Sequence, residues 1–199
     1  MKYKKLITWS NVTTVVLTLL LIVLLINPQA KAVMIEGLMK VGLFKPPVEN
    51  TEPAKVVSGG ANVAPGLLLT DPDGKVINTK DQQGKVLFIN FWATWCPPCI
   101  AEMPSINKMY ARYKNNPKVM ILEVDVDSDF SKSVPFMKKN KYQMPVYNMA
   151  SELPEGFLSS AIPTTVIIDK TGTVVARHEG GADYTDNGFY KYLDGLISK

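Results

Sequence analysis

The chain of 199 residues has little with which to hold a metal. It contains two cysteines, Cys96 and Cys99, and one histidine, His178, far from them in sequence. Zinc asks for about four ligands, so a zinc site falls short and no metal is expected. The nine methionines are scattered and form no cluster. Covalent haem attachment needs His directly after the second cysteine, and that position is Ile100. The C-terminal part also lacks net charge: residues 61–199 carry fifteen Lys/Arg and fifteen Asp/Glu. The +4 of the whole chain comes from Lys2, Lys4, Lys5, Lys31, Lys40, Lys45 and Lys55 against Glu36, Glu49 and Glu52. A nucleic-acid-binding module would carry its basic excess on the folded part, so no nucleic-acid partner is expected. No internal repeat is visible.

Charge is absent from one more place. Residues 6–26, "LITWSNVTTVVLTLLLIVLLI", have no formal charge and no polar face. About 20 residues at 1.5 Å rise span a hydrocarbon core of ~30 Å, whereas a helix packed on one side of a small domain's core would show a polar stripe. The reading preferred is a single-pass anchor over residues 6–26. The alternative is a signal peptide cut after Ala30–Ala32, "AKA", which has the small-x-small form. The lysines before the run put residues 1–5 in the cytoplasm and the rest outside. Residues 27–63 read as a juxtamembrane segment and linker. Within them 33–44, "VMIEGLMKVGLF", extends the anchor or lies along the membrane. From Lys45 to Gly66, Pro46, Pro47, Pro53, Gly59 and Gly60 deny regular structure,.

Residues 64–199 read as one folded domain. "DPDG" between 67–70 and 75–78 predicts a hairpin. "KVLFINFW" (85–92) is a near-continuous apolar run, as expected of a strand buried on both faces,. Ile100, Met103, Ile106, Met109 and Tyr110 recur at helical spacing, which predicts a helix from Pro97 to about Tyr113, kinked at Pro104. A strand follows at 118–127, a helix at 129–140 and a short strand at 145–148. A hairpin across "KTG" joins 164–169 to 173–178, and a C-terminal helix covers 183–198. That order gives an α/β sandwich around a mixed sheet.

The two cysteines stand between the buried strand and the helix. A purely structural disulfide there closes so short a loop that it removes only about 2 kcal/mol of chain entropy. Dithiol–disulfide exchange fits the placement better. Cys96 falls at a helix N-terminus, where free N–H groups and the dipole favour a thiolate. Pro97 sits in the first turn without cost, since its N–H would be unpaired anyway. Cys96 is expected to be exposed and to attack, and Cys99, one turn in, to resolve the mixed disulfide.

"FINFWATWCPPC" resembles the active-site region of the thioredoxin superfamily, and the chain is similar to its membrane-anchored TlpA/ResA-like thiol:disulfide oxidoreductases. The similarity covers about 64–199, including "APGLLLTDPDGKVI", "GKVLFINFWATWCPPCIAEMP", "VDVD" and "IPTTVIIDKTGTVVARHEGG". The resemblance implies a thioredoxin-like fold, a central mixed β-sheet flanked by helices, here preceded by the transmembrane helix. It implies a redox-active Cys96–Cys99 disulfide and no other cofactor. The substrates would be disulfides of exported proteins, notably apocytochrome c. A membrane thiol carrier would donate the electrons. The place would be the inner (cytoplasmic) membrane, single-pass, with the domain on the periplasmic side. Nothing demands an oligomer, so a monomer is expected.

Residue by residue, Pro163 matches the family's cis-proline, leaving the backbone of Ile162 free for an extended substrate. Trp95 matches its exposed aromatic. Trp95, Pro97, Ile162 and Pro163 are therefore the expected substrate contacts. Glu102 matches the acidic residue of the ResA-like group, three residues after Cys99, and is the expected third catalytic group beside the cysteines; the alternative is a solvated helix glutamate. Asn90 stands where many thioredoxins carry a buried Asp, and is expected to be a hydrogen-bonded structural residue. His178 is expected to be structural or on the surface, and Gly180–Gly181 either a turn or a place where a substrate backbone approaches closely. Reduction is the preferred direction, since Pro97–Pro98 carries no charge to stabilise a thiolate. A disulfide-forming oxidant and a tethered redox-gated binding module are the alternatives.

Overall fold

The computed structural model describes residues 9–40, 63–154, 157 and 161–199. Two helices come first, α1 (Trp9–Ile26) and α2 (Pro28–Lys40). They are separate because Pro28 has no N–H to continue the ladder, and the Asn27 side chain accepts from Gln29 N (2.9 Å) and Ala30 N (3.4 Å), which starts a new helix,. Among the described residues no single helix is long and apolar enough to cross a membrane. Val12–Ile26 and Pro28–Leu38 meet length and composition only together, with a 95° bend between them. The anchor expected over 6–26 is thus not seen as one straight span; residues 6–8 lie outside the described residues. The helix α2 packs on the domain. Ala32 is 2% exposed, and Ile35 packs against the same core cluster. Most of the expected linker, 41–62, lies outside the described residues. Its end joins the domain, with Val63 bridged to Thr173 and Ala64 N donating to Gly172 O at 2.7 Å.

The domain runs β1 (Leu68–Thr70), β2 (Val76–Asn78), β3 (Val86–Trp92), α3 (Pro97–Tyr113), β4 (Val119–Asp125), α4 (Phe130–Lys139), β5 (Val146–Met149), β6 (Thr164–Ile168), β7 (Val174–Glu179) and α5 (Asn187–Ser198). The seven strands form one sheet in the order β2-β1-β5-β4-β3-β6-β7. The central strand β3 is parallel to β4 and antiparallel to β6, so the sheet is mixed as expected. The "DPDG" hairpin forms because Asp71 accepts from Asp73 N and Lys75 N while Gly74 takes φ +82,. Every residue of β3 is buried, and each large apolar side chain there contributes roughly 1.5–3 kcal/mol over exposure.

Alternation along the strands divides the core in two. Val86, Phe88, Trp92, Ile121, Val146 and Ile167 pack with α3, α4 and α5. Leu87, Ile89, Phe91, Leu122, Val124, Val166 and Ile168 pack on the other face with Leu67, Leu69 and Phe157. The helix α3 stays one element through Pro104 to Tyr113. The last helix starts later than expected, at Asn187 instead of 183. Asp183 accepts from Thr185 N (2.9 Å), which competes with a helical turn, and Asp186 caps the true start by accepting from Gly188 N,.

Candidate active site

The strand β3 ends at Trp92, and four residues later the chain turns into α3. Cys96 is the N-cap of that helix. Its Sγ accepts from Cys99 N at 3.3 Å, so a backbone donor of the first turn already points at the sulfur that would carry a thiolate. Pro97 and Pro98 fill the first two helical positions, where a missing N–H costs nothing,. Cys96 and Cys99 are joined as a disulfide, with Cα atoms 5.3 Å apart.

Opposite the sulfurs lies the turn into β6. The Ile162–Pro163 peptide bond is cis, and the Ile162 carbonyl oxygen is 3.8 Å from Cys96 Sγ. The Pro163 carbonyl accepts from Gly180 N at 2.8 Å. Gly181 lies so close to α3 that a Cβ would come within 3.2 Å of Pro98 O. The close approach seen at Gly181 is thus to the protein's own backbone, whereas the one expected at the glycine pair is of a substrate backbone. Trp95 is 57% exposed beside the disulfide, its Nε1 donating to Asp127 Oδ2 at 2.7 Å. Cys96 differs from expectation. It is 3% exposed, against 0% for Cys99, because the first turn of α3 and the Ile162 carbonyl close over it.

Glu102 is no solvated helix residue. It is fully buried, one turn beyond Cys99 on the same face of α3,. Its Oε1 accepts from Asn90 Nδ2 (2.8 Å) and its Oε2 from Ala182 N (3.1 Å). Burial pushes its carboxyl up to about 8, against the opposing pull of those two donors,. Asn90 also donates to Thr165 Oγ1 (3.0 Å), which shares a 2.6 Å hydrogen bond with Tyr184 OH. Ser105 ties α3 to the same loop, with Tyr184 N donating to its Oγ at 3.2 Å. Asn90 is hydrogen-bonded as expected, and its partner is the group expected to move protons.

One buried carboxyl escaped the sequence reading. Glu123 in β4 is the register partner of Asn90 and is fully buried. Burial raises its carboxyl well above the ordinary range, and the nearby Glu102 adds to this. The signal was present: a Glu inside the apolar "KVMILEV" is the same anomaly as Asn inside "KVLFINFW". His178, in β7 and the register partner of Thr165, is half-buried, and desolvation lowers its imidazole. Among the described residues no group of three or more His, Cys, Asp or Glu is placed to hold a metal ion.

A dithiol at a helix N-cap, beside a cis-proline and backed by a buried carboxyl, can exchange disulfides. The sequence signature of the AhpC/TSA family matches residues 61–177. The chain is 37% identical over 118 residues to the thiol-disulfide oxidoreductase ResA of Bacillus thuringiensis, which covers 59% of this chain and 68% of that protein. Its fold is similar to that of a thiol:disulfide interchange protein from Chlorobium tepidum (TM-score 0.59, 26% identity, 70% of this chain and 99% of the other). It is also similar to the exposed lipoprotein thioredoxin Etrx1 of Streptococcus pneumoniae (TM-score 0.56, 25% identity, 66% and 100%). With the helix-capping Cys96, its partner Cys99 and a sequence signature spanning more than half its length, the chain belongs to the AhpC/TSA family of the thioredoxin superfamily and is a thiol:disulfide oxidoreductase.

Proposed function

We propose that the protein is a membrane-tethered reductase of disulfides in exported proteins, with apocytochrome c as the substrate its resemblance implies. Reduced Cys96 attacks the substrate disulfide as a thiolate. One substrate sulfur leaves as thiolate and takes up a proton, and the other is held in a mixed disulfide. Cys99 gives its proton to the Glu102 carboxylate and attacks Cys96 Sγ. The second substrate thiol leaves, the Cys96–Cys99 bond closes, and two electrons have passed to the substrate. A membrane thiol carrier then returns them. Trp95, Pro97, Ile162 and Pro163 line the approach, with the backbone of Ile162 as the pairing edge.

The observation that carries this reading is the buried Glu102 behind the dithiol. An acceptor whose pKa lies near operating pH is suited to proton transfer. Its negative charge disfavours a nearby thiolate, and with the uncharged Pro97–Pro98 this favours the disulfide product and hence reduction of substrate. The tether is supported by α1, whose large apolar side chains from Val12 to Ile26 are mostly exposed. Ala32, the last residue of the small-x-small motif, and Ile35 beyond it pack on the domain through α2. Residues 1–5 would then be cytoplasmic and the domain extracytoplasmic, in keeping with the relative named as an exposed lipoprotein.

The test is the reduction potential of the full chain in detergent, by equilibration with a thiol buffer. A value near that of thioredoxin, about −270 mV, supports a reductase fed across the membrane. A value near about −120 mV marks an oxidant and overturns the direction.

A further inference from the structure

The proposed exchange leaves one buried group of the site without a task. Glu123 is fully buried, and neither carboxyl oxygen receives a hydrogen bond. Asn90 Oδ1 is also buried and also lacks a donor. The two residues are register partners in the parallel β3–β4 ladder. Their side chains therefore leave the sheet on the same face, side by side.

An ionised Glu123 accounts for neither orphan. It would set a negative carboxylate beside the negative end of the Asn90 amide. Around it, α3 contributes Glu102, whose charge acts against ionisation of Glu123. The segment before α5 contributes the buried phenol of Tyr184. The register partner on β5 is Val146, and beyond Asn90 on β6 stands Thr165. None of these is a cation. A neutral carboxyl pairs two of the three orphan oxygens at once, because it owns an O–H and Asn90 Oδ1 is the acceptor beside it, which leaves only its carbonyl oxygen without a donor,.

We propose that Glu123 is a neutral carboxylic acid whose O–H donates to Asn90 Oδ1, and that this bond holds the Asn90 amide with Nδ2 turned toward Glu102. Asn90 then uses both ends: Oδ1 receives from Glu123, and Nδ2 serves Glu102 Oε1 and Thr165 Oγ1. Turned over, the amide would present its oxygen to the Glu102 carboxylate and resist its ionisation. Glu123 is a positioning residue, acting on the reaction only through Asn90. The consequence for catalysis rests on the reading of Glu102 as the proton acceptor.

The test uses the full-length oxidised protein in detergent, with E123Q, E123L and E102Q. Infrared spectra are taken about one unit above the Glu102 value of about 8,. There a protonated-carboxyl carbonyl band is expected in the wild type and in E102Q, and is lost in E123Q and E123L. Absence of that band from the wild type overturns the proposal. The second readout is the pH profile of single-turnover substrate reduction. Gln keeps an N–H donor for Asn90 Oδ1, so E123Q follows the wild type. E123L has no donor, and the Glu102 limb moves upward by about one pH unit. Equal shifts in both variants, or none in E123L, overturn it, whereas a role in packing alone would lower stability without separating Gln from Leu in the profile. If E102Q leaves the wild-type profile unchanged, the reading of Glu102 fails instead, and the infrared band still decides the state of Glu123.

Discussion

The two faces of the central sheet are made by alternate residues of the same strands, and they are built from different chemistry. One face presents Leu87, Ile89, Phe91, Leu122, Val124, Val166 and Ile168, packed without a carboxyl or an amide among them. The other presents Asn90, Glu123 and Thr165 in one row across β4, β3 and β6, with Glu102 resting on it from α3. A buried polar group costs free energy unless it is paired, and in this row the oxygens of Asn90 and Glu123 have no donor but the proton proposed on Glu123. The polar row is the costly part of a face that is otherwise apolar, with Phe88, Trp92 and Ile167 packed around it, and it lies beneath the helix that carries both cysteines. Both faces stabilise the sheet but proton chemistry is confined to one, so substitutions on the two faces should produce different symptoms.

The largest effect belongs to the dithiol above the polar face. Cys99→Ser leaves Cys96 able to attack and removes the thiol that resolves. Turnover should fall by orders of magnitude, while substrate accumulates on Cys96 as a mixed disulfide visible on a non-reducing gel. Retained turnover would mean that the pair does not act as a pair. Next comes the apolar face. Phe91→Ala, at a fully buried ring against Phe157, should cost about 3–5 kcal/mol in denaturant unfolding. The reduction potential and its pH dependence should stay where they are. A shift in potential would show that the faces are not independent.

How much of this was legible in the sequence differs between the same two faces. The strands and α3 were readable because hydrophobic period and turn chemistry agree there: "DPDG", the seven-residue run of β3, the cap and proline at Cys96–Pro97. The apolar face follows from alternation alone. The polar face does not, because register between β3 and β4 is a tertiary property. Asn90 could be seen as an anomaly within its strand, but not that Glu123 stands beside it. Glu102 could be placed one turn from Cys99 by helical spacing, yet its complete burial depends on Ala182 and Tyr184, some 80 residues away. The docking of α2 on the domain was likewise invisible, since Ala32 and Ile35 belong to no clean apolar stripe.

Glu102→Gln tests the polar face by linkage. The folded-state value of Glu102, about 8, lies above its ordinary 4.5. Between those values the native state holds a proton that the unfolded chain releases, so the Glu102 contribution to wild-type stability must fall as pH rises through that window and level off above it. Burial raises Glu123 as well, and it contributes a slope of the same sign over its own window. The Gln variant should lose one of these two slopes, a difference of several kcal/mol across the window at most. The slope is the readout, because Gln also disturbs the bonds from Asn90 and Ala182 by a pH-independent amount. Parallel curves for variant and wild type would mean that Glu102 titrates normally and that the face is less hostile to charge than its burial implies.

The smallest effect asks whether the polar row is a network or a set of neighbours. Thr165 Oγ1 receives from Asn90 Nδ2 and shares a bond with Tyr184 OH, and all three side chains are buried. Thr165→Val keeps the shape and removes only the hydroxyl. A neighbour-only row would lose one ordinary hydrogen bond, about 1 kcal/mol. A network loses more, because the Tyr184 phenol and one N–H of Asn90 are left unpaired in the core, and the cost should approach about 2 kcal/mol. That is still below Phe91→Ala, which removes a whole buried ring. Urea unfolding of both variants at one pH below the Glu102 titration decides it. If Thr165→Val costs nothing, the asymmetry of the sheet reduces to the carboxyls of Glu102 and Glu123, and the hydroxyls beside them are spectators.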